Sequence, residues 1–129
     1  MSRAVEVVRL RDTFERLPGP WSPLVVGDVS GFQAKAVRLR GEFVWHHHEN
    51  EDELFLVLQG VLTMRLRDGD LTVGPGELVV IPRGVEHCPA ATDGDVHVLL
   101  FEPATTRRLG NLEPPESSRG SNPGAPPEA

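Results

Sequence analysis

At 129 residues the chain has the size of one ordinary domain, and 39% hydrophobic residues suffice for one compact core. Its formal net charge of −6, with no basic block or stripe, gives no electrostatic footprint for a phosphate backbone, so no nucleic acid is expected as a partner. No apolar run approaches the ~20 residues that span a bilayer, so no membrane is expected either.

The first residues, MSRAVEVVRLRD, are charged throughout and lack an apolar signal core. Cys88 is the only cysteine and cannot close an intramolecular disulfide. Both features lead to the expectation of a cytoplasmic protein. There is no tyrosine, and Lys35 is the only lysine, so a tyrosine base is ruled out and a lysine Schiff base has one candidate.

Residues 4–17, AVEVVRLRDTFERL, read as a short strand followed by one or two helical turns, with Asp12 as a possible cap. Pro18, Gly19, Pro20 and Pro23 then break regular structure. From Leu24 to Pro103 short apolar runs recur: LVVGDV, FQAKAVRL, EFVWHHH, ELFLVLQ, VLTMRLR, DLTV, ELVVIP and VHVLLFE. Glycine-containing turn signals separate most of them, among them Gly31, Gly60, Asp68-Gly69, Gly74-Pro75-Gly76, Arg83-Gly84 and Asp93-Gly94. Many short strands at this spacing predict an all-β sandwich or barrel. The RDGD run at Arg67–Asp70 predicts a two-residue hairpin on Asp-Gly. VEVVRL has no obvious strand partner in its own chain, so donation to a neighbour's sheet and a homodimer are expected. After Leu109 the text is rich in Pro, Gly and Ser. Residues 110–129 read as a disordered tail, and residues 1–109 as a single domain with its core over 24–103.

The informative stretch is GEFVWHHHENEDELFLVLQG, Gly41 to Gly60. On an extended segment, residues two apart share a face, so His46 and His48 point one way and His47 the other. Glu53 opens a strongly apolar strand, where a bare carboxylate would be costly and a cation would remove the cost. A second stretch, GELVVIPRGVEHCPA, turns at Arg83-Gly84 and presents His87. Three imidazoles and one carboxylate suit manganese, iron, nickel, zinc or copper better than calcium or magnesium. A slip of register would put His47 in place of His46.

These two stretches resemble the two cupin motifs. Gly41, His46, His48, Glu53 and Gly60 match the first, with a gap from Gly41 to His46 one residue shorter than usual. Gly76, Pro82, Gly84 and His87 match the second, with Ala91 where the family often has asparagine. The resemblance implies a cupin double-stranded β-helix, a jelly-roll barrel similar to that of phosphomannose isomerase-type cupins, with one divalent transition metal ion on His46, His48, Glu53 and His87. Small cupins like this include dioxygenases, isomerases and epimerases, lyases, and barrels with no known reaction. Oxygenase-type chemistry on a small chelating organic substrate is the first expectation, since it needs mainly the ion and an apolar pocket. An isomerase, epimerase or lyase, and a metal-containing binding barrel without turnover, are the alternatives.

Of the remaining polar residues, His97, His47 and Arg38 are the candidates for a catalytic or substrate-holding role. The plainer readings are a packed core histidine for His97, an outward-facing residue for His47 and a solvated or paired cation for Arg38. Cys88 reads as a buried, unreactive thiol, and Trp45 as a large packing group.

Overall fold

The computed structural model describes residues 4–113. The chain folds as one short helix and seven strands: α1 (Leu10–Arg16), β1 (Leu24–Val29), β2 (Phe32–Glu42), β3 (Glu53–Gln59), β4 (Leu62–Leu66), β5 (Gly69–Val73), β6 (Leu78–Ile81) and β7 (His87–Pro103). The strands pair antiparallel in the order β1-β2-β7-β3-β6, and the β4–β5 hairpin attaches to β7. This is an all-β jelly-roll barrel.

The long strand β7 makes the barrel close. Its first part, His87–Ala90, pairs with β4, while Val96–Pro103 lies between β2 and β3. The Asp93-Gly94 turn signal falls inside this strand. Gly94 takes a φ of 98°, and the register with β2 jumps between Leu39 and Gly41, so the dipeptide makes a bulge that bends one strand from one sheet into the other.

Side-chain alternation then sorts the residues. Val37, Leu39, Phe55, Val57, Val96, Val98 and Leu100 point into the barrel and meet Leu62, Met64, Val73 and Ile81 in one core. On the outer face, α1 lays Phe14 and Leu17 over Ala36 as a second, smaller core.

Several local expectations change. VEVVRL forms no strand: residues 4–9 are irregular, Val5 and Val7 are exposed, and Arg9, not Asp12, precedes the helix. A lone segment without a ladder partner has no reason to be a strand. In the β4–β5 hairpin Leu66 pairs with Gly69, so the two loop residues are Arg67 and Asp68, one position earlier than the Asp-Gly reading. The β1–β2 hairpin carries the two consecutive positive φ values instead, at Ser30 (50°) and Gly31 (85°), and joins Val29 to its partner Phe32. The boundary at residue 110 also moves: Gly110–Leu112 form a 3₁₀ turn with Gly110 buried. The rest of the expected disordered tail, 114–129, lies outside the described residues.

Candidate metal centre

FVWHHH is extended but is not a ladder strand. Its one bridge joins His46 to His87, through His46 N–H to His87 O at 3.0 Å and His87 N–H to His46 O at 2.9 Å. The two motifs are therefore fastened together at two of their histidines. The Pro82–Val85 turn adds a second tie, since Gly84 N–H donates to His48 O at 2.7 Å and Arg83 N–H donates to Asp52 Oδ1 at 2.8 Å. Glu53 is the first residue of β3 and pairs with Ile81 at the end of β6.

These ties bring His46, His48, Glu53 and His87 together, all buried, with one potential donor atom from each within 4.8 Å of the others. His48 Nε2 and His87 Nε2 approach Glu53 Oε1 at 3.2 and 3.4 Å. Neither contact has hydrogen-bond geometry, so these three atoms, with His48 Nδ1, are buried polar atoms without a protein partner. Such atoms are costly, and a cation among them would remove the cost. His46 Nδ1 and His87 Nδ1 each lie 2.9 Å from a carbonyl two residues back, Val44 O and Val85 O. Donation of the Nδ1 proton there leaves the Nε2 lone pair facing the cluster, the tautomer that a metal ligand needs. The residues present thus fit a transition ion in donor type, protonation and burial.

Electrostatics agree. Burial pushes the His46 imidazole down to about 4, and neighbouring His87 adds to the effect, so His46 is neutral at pH 7. Burial alone would raise the Glu53 carboxyl, but the imidazoles of His48 and His87 outweigh it and hold Glu53 well below its ordinary value.

The three residues proposed for catalysis do not join this cluster. His97 lies on the outer face, stacked on Phe14 at 4.4 Å and 5° beneath α1, and burial lowers its pKa. Arg38, its cross-strand neighbour, sits 3.4 Å from Asp95 on the same face. His47 points away from His46 and His48, with its Nε2 3.7 Å from Glu49. Strand alternation is the physical reason in each case. Trp45 lies on the outside too, beneath Arg67 at 3.9 Å. Cys88 is buried and its thiol is pushed up to about 11, chiefly by burial.

The cavity beside the cluster is lined by Lys35, noted from the sequence only as the chain's one lysine, and by Glu102, Arg108 and Trp21, which the sequence reading did not single out. Glu102 is 3% exposed and accepts from Lys35 Nζ at 2.7 Å. Burial, and then the charge of Glu53, push its carboxyl up to about 9. Trp21 takes a φ of 64°, anchors through its backbone N–H to Arg38 O and its Nε1 to Arg40 O, both at 2.8 Å, and stacks on Phe43. Asn111 was missed as well. It grips His47 from both sides, accepting from His47 N–H at 2.7 Å and donating its own N–H to His47 O at 2.8 Å. Gly110 makes this possible, since a Cβ at its φ of 54° would lie 2.1 Å from His47 O and 3.1 Å from His48 Nδ1.

The model of the cupin domain matches residues 37–102, just over half of the chain. The chain belongs to the cupin family. Among solved structures, this cupin is similar to a cupin-2 domain containing protein from Shewanella frigidimarina NCIMB 400, with 40% identity and a TM-score of 0.73 over 75% of this chain and 94% of that one. It is also similar to protein NMB1881 from Neisseria meningitidis, with 27% identity and a TM-score of 0.69 over 77% of this chain and all of that one. The uncharacterized protein YdbB of Bacillus subtilis (strain 168) is 33% identical over 63 residues, 48% of this cupin and 56% of the Bacillus protein. The match thus spans just over half the length of that curated relative. Within the cupin barrel, four buried His and Glu side chains are placed so that they could bind one metal ion. No described helix is long and apolar enough to cross a membrane.

Proposed function

We propose that this cupin is a metal-dependent enzyme acting on a small, chelating organic substrate, with His46, His48, Glu53 and His87 holding one divalent transition metal ion. The observation that carries the reading is the set of buried, unpartnered donor atoms, His48 Nε2, Glu53 Oε1 and His87 Nε2, converging with His46. When bound, manganese, iron, nickel, zinc or copper supplies Lewis acidity toward a substrate oxygen and, if redox-active, electron transfer to dioxygen. The chain's own residues do the rest. His46 and His87, each held by a backbone carbonyl, fix the donor directions. Trp21, Phe43 and Phe55 wall the cavity and keep bulk water from the cluster.

Oxygenase-type chemistry needs little more than this ion and an apolar pocket, and the apolar walls favour it. A second reading, proton transfer in an isomerase, epimerase or lyase, is favoured by one observation: Glu102 and Lys35 stand inside the cavity as a bonded acid–base pair. Oxygen-electrode assays on the iron- and manganese-loaded protein, run against a panel of keto acids, diols and enols, separate the two. Substrate-dependent oxygen uptake is expected. Substrate conversion with no oxygen consumed would favour proton transfer, and tight binding without conversion would favour a barrel that only binds.

A further inference from the structure

We propose that Lys35 and Arg108 form a carboxylate-binding subsite beside the four-donor centre, which makes the substrate class a short organic acid carrying a second oxygen donor next to its carboxylate. The inference rests on the proposed metal site and specifies what that site takes.

Lys35 is the chain's only lysine among thirteen Lys and Arg residues, and it is placed inside the barrel, on the same face of β2 as Val37 and Leu39. Its side chain is 14% exposed and its ammonium lies 2.7 Å from the buried Glu102. A buried Lys–Glu pair is poor value as a folding device, because apolar residues of the same volume would serve at least as well. Its presence beside the donor cluster points to a ligand. Arg108 follows β7 and reaches the same cavity, half-buried, with Glu113 also acting on it. The cavity is therefore lined by His46 and Glu53 of the donor cluster, by the two cations Lys35 and Arg108, and by the apolar Trp21, Phe43 and Phe55.

The charge count favours an anion. A divalent ion against Glu53 leaves one positive charge. Lys35 and Arg108 add two cations that Glu102 and Glu113 can at most balance, so that positive charge remains. A carboxylate supplies the missing charge, and its planar pair of oxygens matches guanidinium and ammonium donors. Size narrows the class further. The cavity measures about 60 Å³, room for roughly four to six water-sized groups. That favours a small acid of few carbons.

The test is isothermal titration of the manganese-loaded chain with pyruvate and with pyruvamide, its uncharged isostere, with manganese content measured on the same samples. Wild type should prefer pyruvate by at least about tenfold. Arg108→Gln, and the double variant Lys35→Met/Glu102→Gln that removes the buried pair together, should each weaken pyruvate binding roughly ten- to a hundredfold, the range of a lost charge-assisted hydrogen bond. Both should leave pyruvamide binding near wild type when counted per manganese bound, and Arg108→Gln should leave manganese content unchanged as well. No preference in wild type, no pyruvate binding at all, or equal weakening of both ligands in the variants would overturn the subsite. A wild-type chain that takes up no manganese yet binds pyruvate through these residues would overturn the metal reading and support the subsite.

Discussion

His48→Ala should lose its metal and keep its fold. The imidazole is 4% exposed, and both ring nitrogens lack a protein partner. The backbone of His48, in contrast, accepts the Gly84 N–H, a bond that alanine keeps. Removing the ring therefore deletes two costly buried atoms along with some packing, and the metal-free variant should melt close to the metal-free wild type. Metal affinity behaves differently. Even an outer hydrogen-bond partner of a ligand is worth 10–100-fold in affinity, so loss of a donor should cost at least the upper end of that range. With metal at about a hundred times its dissociation constant, wild type gains about 2.7 kcal/mol, a rise in melting temperature on the order of 10 °C for a domain of this size. His48→Ala should gain nothing. Paired thermal melts with and without manganese read this directly, and an equal rise in the variant would show that His48 is not a donor.

The second large effect is expected on the alkaline side of the pH–stability curve of the metal-free chain. Burial, and then Glu53, raise the Glu102 carboxyl to about 9 from an ordinary 4.5. Across that window the folded chain holds a proton that the unfolded chain has released, so stability falls as pH rises. His46 works in the opposite sense. Its pKa drops from 6.5 to about 4, so between those values the unfolded chain binds the extra proton and stability rises with pH. The two slopes oppose one another up to pH 6.5. Above it Glu102 acts against the fold with no opposition from His46, at about 1.36 kcal/mol per pH unit, or roughly 3 kcal/mol by pH 9. Glu102→Gln has no proton to lose and should flatten that arm. Urea denaturation at pH 6.5 and pH 9 measures the difference. An alkaline arm as steep in Glu102→Gln as in wild type would remove Glu102 from the account.

The donor cluster was legible because its information is local. His46, His48 and Glu53 lie within eight residues of one another, and an alternation of faces is enough to separate His47 from its neighbours. His87 is remote, but the Pro82–Gly84 turn marks where it enters. The all-β class was legible for a similar reason, since short apolar runs between glycine turns predict a sandwich or barrel; the choice of a barrel came from the resemblance to the two cupin motifs.

The cavity wall was not legible. Lys35 and Glu102 are far apart in sequence, and each looks like an ordinary surface charge on its own strand. Only the β2–β7 register, with Gln33 opposite Glu102 and Lys35 opposite Leu100, brings them together inside. His97 and Arg38 lie away from the donor cluster by the same logic, since the register that places Lys35, Val37 and Leu39 within the barrel puts Arg38 and its partner His97 outside. Asp93-Gly94 misled because Asp-Gly favours a positive φ without saying whether a hairpin or a bulge will use it. The clamp of Asn111 on His47 had no signal at all, sitting in a Pro/Gly/Ser-rich stretch whose average composition hides one structured turn.

On the proposed reading, three imidazoles and one carboxylate share a cation within the sheet. Elemental analysis of the chain purified without added metal is the decisive experiment. Close to one equivalent of a single transition metal per chain is predicted. A chain that carries none, and that takes up no manganese, iron, nickel, zinc or copper on dialysis, would contradict it.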